Sequence, residues 1–560
     1  KGSHPALNDL DDDPTTYDSK VVVYGYSVGW NSRPGDSHGT KVAGRAAGTE
    51  ESESSAPGAC LWGIKVFPSQ IAKFDSGSTP IGTFAEPVVA GIKGVIVGPD
   101  REPMTGDEPD IISLTSGCPG CGGDGINAGA IAIDTAVNNG IVVTQSAGNS
   151  GPNFYTVGPR ASSHMGITVG NLNKDDTIAD DSSRGPTYDI RIKPDLVAHG
   201  QNVKVPTFGV NPDGTTAYSY VDNNSGTSLS APYVSGVAAL ILQKNPTWSP
   251  TMIKAAIMNT ATPLENYRLV TQGAGALNLD RAVATEVIAQ PPSLSFGLAY
   301  EGSKVSRKLV ISNTGTKPTT VDLFTETSVY KGKVLPWEDK YFGEPGSVGL
   351  ISTSTVVNVD PKQIVLPAGD TQTVTVTAGP FTDLESGGWY EGRVFFILDD
   401  GAASLTVPYI LHHTSSEDIL NQPEDWKYID YKDLNKKIYP GPGFFCPNTD
   451  YMSYLLNASC VGDGTLITKP SPQSSHKKSA KELVSLLPGS YPTNDDLIKI
   501  TTLASGRIPI ESVTLEWSVD GSKKPDQLMY DDGAHDDFIR GDQVYGTSIG
   551  PFSAGSKITY

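Results

Sequence analysis

No uninterrupted apolar run in this chain of 560 residues comes near the length of a membrane span; the longest, Val237 to Leu242 with its flanks, is far too short. Positive charge is scarce. Lys and Arg number 42 against 62 Asp and Glu, a net charge of −20. With no basic run and no alternation of aromatic and basic residues, the chain lacks the electrostatic footprint of a nucleic-acid binder. It has no initiator Met and no apolar leader, which reads as a chain that opens after a removed segment, or as a fragment. Cysteine is sparse, and five is an odd count. Cys118 and Cys121 form a C-x-x-C in a Gly-rich loop. Zinc would need a second ligand pair, which is missing, and thioredoxin-like redox chemistry would need the motif to open a helix. A local bridge is the better reading, with Cys446 and Cys460 able to close a second loop. A bridge of that kind contributes on the order of 3 kcal/mol and suits an oxidising, extracytoplasmic setting. Cys60 is left over and is expected as a small buried hydrophobe.

What the chain does contain is length for about three or four domains and a regular alternation of elements. Lys20 to Tyr26, Leu61 to Phe67, Asp110 to Thr115, Ile141 to Thr144, Met165 to Asn171 and Lys193 to Ala198 read as strands. Helices are expected from His38 onward in a run of small residues, around Phe84 to Ile96, over Ile126 to Asn139 (ended by Gly140), over Ser228 to Gln243 and over Ser249 to Thr260. The last begins with a Ser cap and a first-turn proline, Ser249-Pro250. This order predicts an α/β fold with a parallel sheet and helices on both faces. Chemistry in such sheets collects at the C-terminal strand ends, and polar runs follow Thr115 and Thr144.

One stretch organises the rest: Asn223-Asn224-Ser225-Gly226-Thr227-Ser228, followed by a small, apolar run to Leu242. Ser228 stands where a helix starts, so its own N–H and those of the first turn point at whatever binds beside it. That suits a nucleophile whose product is an oxyanion. Read alone, it is at least as well explained as a Ser/Thr cap on a core helix. His38 ahead of Gly39-Thr40 is, read alone, more often a structural helix start.

The company of other motifs decides between these readings. HGTKVAG from His38, SAGNSGP from Ser146, SSRGPT from Ser182 with KPDLVAHG from Lys193, and GTSLSAPYVSGVAAL from Gly226 occur in the order and rough spacing of the subtilisin-like serine peptidases. They span about 250 residues, and four ordered motifs together are far more specific than one. GAGALNLDRAV from Gly273 also resembles that family's closing segment. The resemblance implies Ser228 as nucleophile, His38 as general base, and the Asn149 amide with the Ser228 N–H as oxyanion hole. It implies Ser113, Leu114, Thr115, Ser116 and Gly117 as the edge on which a substrate strand is laid. Gly148, which flanks the amide, and Gly158, near the floor of the primary side-chain pocket, complete the implied substrate contacts. Arg160 reads as a solvated side chain, or as a group that favours acidic or polar substrate side chains.

The pattern breaks at one place. The family's triad needs an Asp in a D-[ST]-G setting upstream of the His, and the chain has none. Ser3-His4-Pro5-Ala6-Leu7 resembles the stretch that follows that Asp, so the missing residue is expected just before Lys1. Asp11, Asp12 and Asp13 sit on the wrong side of the His-Pro and read as a solvated loop or a weak calcium site. Without the Asp the His tautomer is unfixed, and the rate would fall by about 10⁴. Asp181 stands where the family usually has an aromatic, and His199 where it has Pro; both are expected to loosen the loop ahead of the Ser helix.

The expected domains are 1–288 (catalytic), 289–415 (a β-sandwich resembling the fibronectin-III-like modules of some secreted relatives, entered by a linker at Ala289 to Pro292), 416–490 (an irregular connector carrying Cys446, Cys460 and the sequon at Asn457) and 491–560 (a further β-module). The acidic hairpin from Tyr530 to Asp537 reads as a solvated turn ahead of a calcium site. The sequence reading is thus an extracellular, secreted serine endopeptidase acting on proteins or peptides. It requires no cofactor, and calcium enters only as a structural ion by resemblance, with no ligand set. Oligomeric state is not legible. The alternative is an impaired pseudo-peptidase or adhesin that works through its β-modules. An esterase on an α/β-hydrolase fold fails on order, since that fold places its His after the Ser.

Overall fold

The computed structural model describes residues 4–7, 21–26, 37–49, 51–66, 85–117, 122–299 apart from 212 and 214, 302–331, 352–353, 356–381 and 388–413 apart from 402, together with short strands between 498 and 559. Its first part runs β1 (Val21–Tyr26), α1 (His38–Ala47), β2 (Leu61–Lys65), α2 (Ala85–Ile96), β3 (Ile111–Leu114), α3 (Ala128–Asn138), β4 (Val142–Ser146), β5 (Ile167–Leu172) and β6 (Leu196–His199). A hairpin of β7 (Val203–Val210) and β8 (Thr216–Asn224) follows, then α4 (Thr227–Lys244), α5 (Pro250–Asn259), α6 (Leu269–Gln272) and α7 (Leu279–Ala284). Strands β3, β4, β5 and β6 form one parallel sheet in that order, and β1 pairs with β2 in parallel.

Helices cover both faces of the four-stranded sheet, as the alternation of elements demands. On one face Ala231, Val234, Val237, Ala238 and Ile241 of α4, with Ile253, Ala256 and Ile257 of α5, pack on Val142, Ile167, Val169, Leu196 and Ala198. On the other, Val88, Ile92 and Ile96 of α2 and Ala132, Ile133 and Ala136 of α3 pack on Ile112 and Val143. Two of these helices, α3 and α5, are entered by a side-chain cap. The Asn127 side chain accepts from Gly129 and Ala130 N–H, and Ser249 accepts from Met252 N–H ahead of Pro250. The α3 segment is buried along most of its length, packed against α2, β4 and the short turn Arg160–Ser162.

Beyond α7 lie β9 (Val287–Gln290), β10 (Leu294–Ala299), β11 (Val305–Asn313), β12 (Thr319–Lys331), β13 (Ser352–Thr353), β14 (Val357–Asp360), β15 (Gln363–Leu366), β16 (Thr371–Ala378), β17 (Gly388–Leu398) and β18 (Ala403–His413). They make two sheets, β10-β18-β17-β12-β13 with β15 on β12, and β14-β16-β11-β9. Their inward faces share one core, so this is a β-sandwich. The expected linker is corrected here: Ala289 and Gln290 belong to β9, which pairs antiparallel with β11, and Val287, Ile288 and Ala289 are buried. The longest strand, β12, and the β7–β8 hairpin were not anticipated. Cys60 is exposed rather than buried, at the mouth of β2.

A buried charge cluster ties α5 to the sheet. Asp195 accepts from Lys193 Nζ at 2.5 Å and from the Thr168 N–H of β5 at 2.7 Å, and pairs with Lys254 Nζ of α5 at 3.1 Å. Burial alone would raise the Asp195 carboxyl, but the two ammonium groups hold it below its ordinary range. Burial, the largest influence on Lys193, pulls that amine down to about 7 against the attraction of Asp195. Asp195→Asn should therefore cost about 3–5 kcal/mol in denaturant unfolding, because it strands two buried lysines. Between about 7 and the unfolded value of 10.5 the unfolded chain holds the extra proton on Lys193. Wild-type stability relative to Lys193→Met should accordingly rise as pH increases through that window. A flat difference across it would show that Lys193 stays charged in the fold.

Candidate active site

The start of α4 fixes the site. Gly226 caps the helix at φ 132°, a conformation that side-chain-bearing residues avoid, and a Cβ there would lie 3.1 Å from Asn149 Nδ2. Asn149, just past the end of β4, turns its Oδ1 to the helix start and accepts from Thr227 N–H at 3.0 Å and Thr227 Oγ1 at 2.7 Å. One orphan donor of the first turn is thereby satisfied, while the Asn149 Nδ2 lies by Gly226. The Ser228 N–H is the next donor of a turn that has no intrahelical acceptor to offer it. Ser228 is half-buried, and its Oγ donates to the Thr115 carbonyl at 3.0 Å. The end of β3, the end of β4 and the head of α4 are thus joined within one small region. Asn149, Thr115 and Ser228 lie together in it.

The edge beyond β3 is held from behind. Ser116 O accepts from Gln145 Nε2 at 3.1 Å and from Arg160 Nη2 at 2.6 Å, and Ser116 Oγ accepts from Arg160 at 3.0 Å. Arg160 is 8% exposed, which corrects the expectation of a solvated side chain: its guanidinium is used internally, spanning from the loop after Gly158 to the Ser113–Gly117 segment. Gly158 is buried and donates its N–H to Ala147 O at 3.2 Å, which sets it beside Gly148. Gly148 has φ 112° and its carbonyl accepts from Ser183 N–H. Ser113 and Leu114 lie in β3, and Gly117 follows the edge.

His38 is the first residue of α1 and is half-buried. That helix packs on α4 closely enough that a Cβ on Gly236 would meet Ala46 O at 2.8 Å and Ser55 Oγ at 2.1 Å. His38 and Ser228 thus stand on two helices in direct contact, while the serine hydroxyl itself is given to Thr115. His4 is buried between Tyr218 and Tyr220 of β8, with its short segment packed on α1.

Sequence reasoning missed Arg45. It is 4% exposed within α1, donates to His199 O at 2.9 Å, Leu229 O at 3.4 Å and Glu53 O, and lies 4.2 Å over the Tyr233 ring. Burial pulls its pKa down from the ordinary arginine range, with Tyr233 and Glu53 opposing. One guanidinium therefore locks the His-bearing helix to the Ser-bearing helix and to the end of β6. The available signal was a lone Arg amid Gly44, Ala46 and Ala47. Asp181 and His199 both have partners within their loop. His199 Nε2 lies 2.8 Å from Asp176, Asp181 accepts from Gln201, and its carbonyl accepts from Gly151 N–H. Cys118, Cys121, Asp11 to Asp13, Cys446, Cys460, Asn457 and the hairpin from Tyr530 to Asp537 lie outside the described residues.

With this geometry in hand, the comparisons are specific. The sequence profile of the Subtilase family matches residues 1–279, and that of the Fn3-like domain matches residues 298–410. The chain is 33% identical to Serine protease AprX of Bacillus subtilis over 288 residues, 48% of this chain and 62% of that protein. It is 33% identical to Minor extracellular protease Vpr of the same organism over 244 residues, 42% of this chain and 27% of that one. It is 32% identical to Subtilisin of Bacillus pumilus over 254 residues, 44% of this chain and 78% of that protein. The chain thus spans less than two thirds of the first two relatives.

Replacing Arg45 should test the helix clamp directly. Arg45→Ala removes the guanidinium that bridges the His199, Leu229 and Glu53 carbonyls and should cost about 1–3 kcal/mol of unfolding free energy. A loss of only a few tenths in a denaturant titration would mean that α1 is held to α4 by packing alone.

Proposed function

Since the chain belongs to the subtilase family, we propose that it is a serine endopeptidase in which Ser228, His38 and Asn149 carry the chemistry. The observation that carries the reading is the Asn149 side chain. Its oxygen is committed to Thr227, which fixes the amide and leaves its Nδ2 beside Gly226 and the head of α4. Preorganised donors at the place where charge develops are the largest single contribution in acyl transfer. In this mechanism Ser228 Oγ attacks the peptide carbonyl carbon and gives its proton to His38. The carbonyl oxygen becomes an oxyanion held by Asn149 Nδ2–H and the Ser228 N–H. Collapse breaks the C–N bond and His38 returns the proton to the leaving amine. Water, activated by the same imidazole, then releases the acyl group.

The substrate would lie extended along Ser113 to Gly117, with its side chain toward Gly148 and Gly158. A strand placed there competes with Ser228 for the Thr115 carbonyl, so its arrival frees the hydroxyl for His38. Proteins and peptides are the substrates, and the setting is extracellular, a reading supported by the relative whose name states it. Calcium stays a structural ion by family resemblance alone, and the acidic stretches Asp11 to Asp13 and Tyr530 to Asp537 lie outside the described residues. Among the described residues no three His, Cys, Asp or Glu side chains gather in a way that could hold a metal, and no step above uses one.

A fluorophosphonate that labels activated serines tests the proposal, applied to this chain and to a version carrying the natural residues upstream. Labelling that disappears in Ser228→Ala is the expected result. Asn149→Ala should lower kcat by about 10²–10³ with KM little changed, the usual cost of one oxyanion donor. Arg160→Ala, which frees Ser116, should act mainly on KM. If Ser228 stays unlabelled in both versions, the catalytic reading falls, and a binding protein acting through its β-modules takes its place.

A further inference from the structure

The sandwich reaches the site through one buried carboxylate. Glu391 of β17 is 2% exposed. Its Oε1 accepts from Arg268 Nε at 2.9 Å and from Arg268 Nη2, and its Oε2 accepts from the Leu269 N–H at 2.7 Å. A strand of the sandwich therefore supplies the N-terminal cap of α6, which belongs to the other part of the protein. The Arg268 guanidinium in turn lies between two rings, 4.6 Å from Tyr330 of β12 and 5.2 Å from Phe154. Phe154 and Tyr155 occupy the loop that runs from Asn149 to Gly158.

A continuous set of hydrogen bonds joins the carboxylate to that loop. Glu391 holds Leu269; the next residue, Val270, accepts from Gly185 N–H at 2.8 Å; and Gly185 O accepts from Tyr155 N–H at 3.0 Å. Apolar packing runs in parallel, because Tyr155, Leu269, Val270, Ile190 and Ile192 share one buried cluster with Trp389 and Ile410 of the sandwich. Tyr155 sits at φ 59°, a left-handed conformation that a bulky residue keeps only when its surroundings enforce it.

We propose that Glu391 of the β-sandwich is a positioning residue for the peptidase site, fixing the 151–158 loop, and with it the spacing of Asn149 and Gly158, through Arg268. The proposal rests on the peptidase reading for its functional half; the mechanical half stands by itself. A sandwich that only adds stability would leave the loop unchanged when the protein stays folded. A sandwich that positions the loop changes it.

The experiment uses the full chain, with Glu391→Gln and, beside it, the double variant Arg268→Met with Glu391→Met. The second removes both buried charges together, so it should fold even where a lone uncompensated arginine is poorly tolerated. Hydrogen exchange of the 154–158 amides should accelerate about tenfold in both variants while the amides of α5 are unchanged. Peptide hydrolysis should lose about tenfold in kcat/KM, with KM raised by the displaced wall at Gly158 and kcat lowered by the shifted Asn149. Unchanged loop exchange in both variants overturns the proposal, and so does loop and α5 exchange rising together, which is what a purely structural role predicts. Fluorophosphonate labelling of the wild type separates the two readings. If Ser228 is never labelled but loop exchange responds, the peptidase assignment fails and the coupling of Glu391 to the loop stands.

Discussion

The rest of the site depends on how the chain enters α4. A helix head leaves backbone donors without acceptors, and here Asn149 takes one of them, from Thr227, rather than leaving it to solvent. That contact requires the backbone before the helix to bend through a positive φ with no Cβ in the way, which only Gly226 supplies. It also requires the end of β4 to stand against the helix head, which the parallel order β3-β4-β5-β6 provides. The same order brings the Thr115 carbonyl within 3.0 Å of Ser228. Sheet order, glycine, amide and serine are thus one constraint seen at four places.

Much of this was legible in the sequence because it is local. His38 opens α1 and Ser249-Pro250 opens α5 because caps and small residues act within a turn. Strands β3 to β6 announce themselves as short apolar runs, the pattern of a parallel sheet buried on both faces. What escaped is non-local or disguised. Strand β12 carries Thr, Glu and Asp at its alternate and even at some inward positions, as in Thr325 and Thr327, so its period of two is hidden until Val321, Leu323 and Val329 are seen facing the core. In the β7–β8 hairpin, β8 is polar and half-exposed, and β7 buries only Val203, Val205 and Pro206 among the residues described there. Ala289 and Gln290 precede two prolines and look like a linker, but β9 is completed by a partner strand whose nearest paired residue lies some distance along the chain.

The site residues divide in the same way. Ser228, Asn149 and His38, the residues proposed to carry the chemistry, were singled out by motif. Arg45 and Arg160 were missed or misjudged, because an arginine in sequence looks solvated and only the fold reveals that it is buried against carbonyls. Composition gives no warning, since each is one of 42 cations in a strongly acidic chain.

These buried cations share a physical logic. Taking a guanidinium or ammonium out of water costs nearly what its partners return, so such groups contribute little net stability. What they offer instead is direction: a planar fork satisfied by fixed carbonyls or a carboxylate tolerates few relative positions of the elements that carry them. Arg45 sits between α1 and α4, Asp195 between the sheet and α5, Arg160 between the loop after Gly158 and the end of β3, and Arg268 with Glu391 between α6 and the sandwich. Apolar packing alone would hold each of these pairs together while allowing them to slide. A proton transfer between side chains on two separate helices, as proposed for Ser228 and His38, would not survive such sliding, and the buried charges stand at the junctions where it would occur.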